Sequence, residues 1–213
     1  MTLFFDYTTI ERSNERNFTM PSNAIMYAGI EFSSGRQPVT FARLDDGLNA
    51  IVLEKWDTAE VLLYLHDYET SILVINIPTT KRGREVYADL REKAVQAGYK
   101  AFLETREPKR WLETDAQDCF RALGGYKLLP HRALEGRLQR TAILYEHGLQ
   151  LTDPVDMFEE ITRYKLIQGI LPLDNLPSSK ELDALVAAYL AWMSLNRPAR
   201  IAATGEFVLP ARE

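Results

Sequence analysis

Glu31 closes the apolar run Ile25–Phe32, and Ser33, Ser34 and Gly35 follow it directly. Ile25, Tyr27, Ile30 and Phe32, with Ala28 and Gly29 between them, read as a central strand. A carboxylate at the end of such a strand is either a surface residue or one wall of a cation or phosphate site. Asn76 nearly ends a second apolar run, "SILVINIP", where a buried amide must find hydrogen-bond partners. Asp183 falls in the first turn of a predicted helix whose Ala184, Ala187, Ala188 and Ala191 permit close approach to a sheet. Asp156, Glu159 and Glu160 gather on the preceding predicted helix, with Arg163 one turn on. Each acid has a plainer account beside the chemical one. An acid in a first helical turn complements the helix dipole, which covers Asp183 and Asp156. Glu159 and Glu160 also suit a solvated face paired with Arg163.

Cations supply a surface that could meet phosphate. Lys81, Arg82 and Arg84 follow "INIPTT" at a predicted helix start, where backbone amides also favour anions. Arg132, Arg137 and Arg140 lie on a later helix, and pairing of Arg137 and Arg140 with Glu135 is the competing account. Ser33 and Ser34 are further candidate phosphate contacts. His66, His131 and His147 are scattered without metal-ligand spacing, and no Ser–His–acid order suggests a hydrolase triad. No GxGxxG follows a strand and no GxxxxGK[ST] occurs, which removes two common nucleotide-binding loops.

The elements that must position these residues follow from periodicity and turn chemistry. "IMYAGIEF", "PVTFARL" and "NAIVLEKW" read as a three-strand antiparallel meander, with Asp46-Gly47 as a hairpin signal in which glycine takes positive φ. "DTAEVLLYLHDY" is a helix capped by Asp57 or Thr58. "SILVINIP" is apolar throughout, the pattern of a parallel strand buried on both faces. Helices follow in "GREVYADLREKAVQAG", "DAQDCFRALGG", "HRALEGRLQRTAILYEHG", "TDPVDMFEEITRYKLIQG" and "SSKELDALVAAYLAWMSLN". Asp153-Pro154 opens the fourth of these and Ser178 with Glu181 forms a capping box at the fifth. "ETREPKRWLETD" reads as a loop or short edge element, and "GEFVLP" as a terminal strand. The sum is an α/β chain with a central mixed sheet flanked by helices, the arrangement of a ribonuclease H-like fold.

The chain of 213 residues is 46% apolar and 26% charged, as for one globular domain with a sizeable core. Residues 23–213 are assigned to that domain and residues 1–22 to a flexible or peripheral extension that lacks the build of a signal peptide. A net charge of −5 gives no global basic field for indiscriminate nucleic-acid binding, although a local basic groove escapes that count. The single cysteine, Cys119, excludes an internal disulfide and a multi-thiolate zinc site, and reads as a buried inert thiol. No run of 18 apolar residues occurs, so no membrane span is predicted and the cytoplasm follows by elimination.

Taken in order, "YAGIEFSSG", "LVINIP", "FEEITR", "ELDALVAAYLAW" and "GEFVLP" resemble the family called domain of unknown function 429, of the ribonuclease H-like superfamily. The resemblance spans roughly Met26 to Pro210. It implies that Glu31, Glu159 and Asp183 are catalytic metal-binding carboxylates, with Glu160 as the alternative to Glu159 and Asn76 as a further ligand. Two carboxylates about 4 Å apart repel by roughly 4 kcal/mol at an effective dielectric near 20, a penalty that a divalent cation converts to binding. Mg²⁺ or Mn²⁺ suits such oxygen ligands, and the implied activity is metal-dependent phosphodiester hydrolysis of structured DNA or RNA. The sequence departs from the family where Glu31 and Asn76 stand in place of Asp. Displacements of that size cost about 10²-fold in a positioned site. Two alternatives therefore stand: a catalytically inactive nucleic-acid-binding or scaffold domain, and an actin-like phosphate-binding domain in which "GIEFSSG" is a phosphate loop.

Overall fold

The computed structural model describes residues 25–32, 38–101, 107–169, 173, 176–204 and 207–211. Residues 1–22, assigned above to an extension, and the loop residues Ser33 and Ser34 lie outside the described residues. An eight-stranded mixed sheet runs through the fold, with helices on both faces. Strands β1 (Met26–Glu31), β2 (Val39–Leu44) and β3 (Ala50–Trp56) form the antiparallel meander, and β4 (Ser71–Asn76) pairs with β1 in parallel. The strand order is β3-β2-β1-β4-β6-β8-β7, with β5 (Lys100–Ala101) attached to β6.

Strand β6 (Lys109–Thr114) corrects the sequence expectation of a loop or edge element. It lies inside the sheet, parallel to β4 on one side and to β8 (Phe207–Pro210) on the other. Its sequence, KRWLET, hides this because charged residues surround the buried Trp111 and Leu112. Arg91 covers the Trp111 ring at 4.6 Å and Lys109 lies 5.9 Å from the Tyr99 ring, so long cationic stems shelter apolar surface. Strand β7 (Ile201–Thr204) is a second addition, antiparallel to β8. The hairpin between β2 and β3 also departs from expectation. Its left-handed residue is Leu48, φ 62°, and not Gly47. Leu48 is buried in the core, and Asp45 Oδ1 accepts from the Asn49 N–H at 2.8 Å across the turn. Packing has overridden glycine's freedom there.

Strand alternation sends successive side chains to opposite faces. One face carries Tyr27, Ile72, Val74 and Leu112 and is covered by α3 (Ala116–Gly124), α4 (Leu134–Glu146) and α6 (Ser179–Asn196). The other carries Ala28, Ile30, Leu73 and Ile75 and is covered by α1 (Thr58–His66) and α2 (Lys81–Gln96). The remaining helix, α5 (Pro154–Gln168), packs on α4 through a small separate cluster around Met157, Ile161 and Leu176. Cys119 is fully buried, and burial pushes its thiol up to about 12, which leaves it unreactive. Among the described residues no helix is long and apolar enough to cross a membrane.

Candidate functional site

Three parallel strands end side by side. Glu31 of β1 is in register with Asn76 of β4, and Asn76 with Thr114 of β6. In-register residues of parallel strands share a face, and Gly29, two before Glu31, identifies that face as the one under α6. A Cβ on Gly29 would stand 2.1 Å from the Ala184 carbonyl oxygen and 2.4 Å from the Ala188 amide nitrogen. The helix backbone therefore rests directly on β1, and the start of α6 overhangs the end of the strand.

The capping box fixes that start. The Ser178 N–H donates to Glu181 Oε2 at 2.6 Å, and the Glu181 N–H donates to Ser178 Oγ at 3.3 Å. With Ser178 as the cap, Asp183 is the fifth helical residue, beyond the first turn expected for it. The dipole account loses force there, since that effect fades within a turn. Asp183 is buried, 4% exposed, and is held by other partners. Gln117 Nε2 donates to its Oδ1 at 3.0 Å, and His131 Nε2 lies 2.9 Å from its Oδ2. Arg140 Nη2 in turn donates to Gln117 Oε1 at 2.6 Å. Because a guanidinium only donates, it fixes which end of the Gln117 amide faces Asp183.

Asn76 is oriented by the same logic. Its Oδ1 accepts from the Ala116 N–H at 2.8 Å, which turns its Nδ2 toward Glu31, to whose carboxyl group it donates. Burial pushes the Glu31 carboxyl up to about 8; the Asn76 hydrogen bond opposes the shift and the negative charge of Asp183 adds to it. Glu31 thus keeps its proton through most of the neutral range. Burial also raises Asp183, while His131, 2.9 Å away, and the charge of Arg140 work the other way. Two neighbouring carboxyl groups with different partners form a site able to hold one proton or one cation between them.

A scan of family models and a search of curated proteins found no match to the chain. Its chemistry has to be read from the residues themselves.

Glu31 and Asn76 touch, and Asp183 lies near enough for its charge to act on Glu31. Glu159 is exposed on α5, and Glu160 lies beside it on the helix that packs against α4. Among the described residues no three His, Cys, Asp or Glu side chains stand close enough to hold a metal as they lie. Arg137 donates to the backbone carbonyls of Pro177, at 3.0 Å, and Leu176, fastening the segment before α6. Arg140 is 1% exposed and donates to the Gly136 and Leu129 carbonyls as well as to Gln117, so it acts from beneath the site. Lys81, Arg82 and Arg84 are exposed at the start of α2, beyond the same strand ends but on the opposite face of the sheet.

Four contributors escaped sequence reading. Asp115 caps α3, with its Oδ1 accepting from the Gln117 and Asp118 N–H groups, and its charge raises both Glu31 and Asp183. Gln117 and His131 hold Asp183, and the charge of Lys180 on α6 eases the ionisation of Glu31. Asp115 and Gln117 were legible only to a reader who placed a strand over Lys109–Thr114, because a cap directly after a central parallel strand lies at the sheet's carboxyl edge.

The donor set fits one hydrated divalent cation and not a pair. Two carboxylates plus water suffice for Mg²⁺. The Asn76 carbonyl oxygen is committed to the Ala116 N–H, and its nitrogen cannot ligate a cation.

Proposed function

We propose that the cleft between the ends of β1, β4 and β6 and the start of α6 is a single-ion Mg²⁺ or Mn²⁺ site for phosphodiester hydrolysis. Its substrate class is structured DNA or RNA, its setting is a ribonuclease H-like sheet, and its place of work is the cytoplasm. One observation carries this: Glu31, Asn76 and Asp183 come from three distant segments, Asn76 donates to Glu31, and burial, with the Asp183 charge adding to it, suppresses ionisation of Glu31. The sheet order supports the ribonuclease H-like assignment, since a β3-β2-β1 meander continues through β4 and β6 parallel to β1. The resemblance to domain of unknown function 429 points the same way.

Glu31 and Asp183 would hold the ion, which supplies Lewis-acid polarisation of a phosphodiester oxygen and a more acidic water. Asn76 aims the Glu31 carboxyl group. Gln117, backed by Arg140, and His131 keep Asp183 in place. Lys180, together with Lys81, Arg82 and Arg84 around the edge, is available to the flanking phosphates. Calorimetry with Mn²⁺ and Mg²⁺, followed by cleavage assays on a panel of structured DNA and RNA, tests this. Heat of binding that disappears in Asp183→Asn, together with metal-dependent cleavage, is expected. Silence at millimolar metal would remove the metal site.

The locked Asn76 amide favours a second function, a nucleic-acid-binding domain without catalysis. It places a hydrogen-bond donor where a ligand oxygen would be needed. Retardation of nucleic acid that persists unchanged in EDTA, with no cleavage, would single out that function.

A further inference from the structure

Helix α5 is apolar on two opposite sides, and only one of them is covered. Met157 and Ile161 face Leu176, with Leu134 and Leu138 packed alongside. On the far side, residues 155, 158, 162 and 166 recur at steps of three, four and four, which aligns them along one helical stripe. Val155 is 71% exposed there, Phe158 57% and Leu166 80%. A surface helix ordinarily has one apolar side, and a cluster of large exposed side chains marks an interaction surface.

Charge along α5 indicates what covers it. Glu159 in its first half and Arg163 in its second are both exposed and flank the stripe on the same side. A second α5 lying antiparallel sets the Glu159 of each copy against the Arg163 of the other. It also sets Val155 against Leu166 and brings the two Phe158 rings toward the symmetry axis. A parallel arrangement puts the charged flanks of the two copies on opposite sides and cannot pair them. The segment is therefore complementary to itself in one orientation, as a closed two-fold interface requires.

We propose that the exposed stripe of α5 is a homodimerisation surface, on which a second copy of this chain docks through its own α5 in antiparallel register. One helix pair falls at the small end of specific interfaces, which implies a weak, reversible dimer. The surface is independent of the cleft and of the chemistry proposed for it.

Sedimentation velocity of the full chain from about 1 to 200 µM in 0.15 M salt tests this. A monomer–dimer equilibrium with a midpoint of roughly tens of micromolar is expected. The Phe158→Glu/Leu166→Glu variant should stay monomeric over that range with an unchanged melting temperature, because both side chains are exposed. Arg163→Glu should weaken association about three- to tenfold, since symmetry counts each contact twice, and Glu159→Arg added to it should restore most of that loss. A parent protein that is monomeric throughout overturns the proposal, as does a dimer indifferent to the Phe158/Leu166 change. Failure of the charge swap to restore association overturns the antiparallel register.

Discussion

The Glu31 carboxyl group accepts a hydrogen bond from Asn76 and lies near a second acid, and its ionisation is tied to the stability of the fold. Its ordinary value of 4.5 rises to about 8 on folding, so between those limits the folded chain keeps a proton that the unfolded chain has lost. Stability therefore falls as pH rises through that window, and the loss is complete only above pH 8. Glu31→Gln cannot ionise yet still accepts from Asn76. Thermal melts should show it more stable than the parent by about 1–3 kcal/mol at pH 8.5, with the difference vanishing below pH 4.5. No pH-dependent gap between the two proteins would mean that the carboxyl group is not desolvated. Asn76→Asp makes the complementary test. It removes the donor to Glu31 and adds a third negative group beside Asp183, so the metal-free protein should lose about 1–3 kcal/mol at pH 8. Mn²⁺ affinity by calorimetry should rise about tenfold or more. A fall in affinity would place the cation elsewhere.

At the scale of elements, the contact between β1 and α6 decides the geometry of the cleft. Gly29 lets the helix backbone touch the strand, and everything from the Ser178 cap to Asp183 is aligned by that touch. Gly29→Ala would drive a methyl carbon into the Ala184 carbonyl, which nothing flexible can relieve. A loss of about 3–5 kcal/mol is expected, roughly 10 °C in melting temperature for a chain of this size. An unchanged melting temperature would show that α6 does not rest on β1. The two elements were each legible beforehand: the apolar run, the run of alanines and the S-x-x-E cap all mark them. Strand β6 was not, because its buried residues are few and its charged neighbours lie against aromatic rings instead of in water. With β6 went Asp115 and Gln117, the cap and the second residue of the helix that follows it.

Over the whole molecule, charge is sparse where nucleic acid would lie. The chain carries −5 overall, and the described cations near the strand ends include Lys81, Arg82, Arg84 and Lys180. Four phosphate contacts from these residues give a shallow salt dependence. The slope of log K against log salt for duplex should be no steeper than about −3.6. Fluorescence anisotropy between 50 and 200 mM salt measures it, and a slope near −8 would require a basic surface other than this one.

The sequence by itself determined the helices, the meander, most helix caps and the polar residues that end two buried strands. These depend on local spacing: alternation for strands, a period of 3.6 for helices, and cap residues at fixed offsets. Which polar groups meet depended on contacts between segments far apart in the chain. Only the tertiary structure could bury Arg140 beneath the site and turn the Asn76 amide by offering it the Ala116 N–H. A carboxylate's partners and its affinity for a proton are properties of the space around it, and no stretch of sequence contains that space.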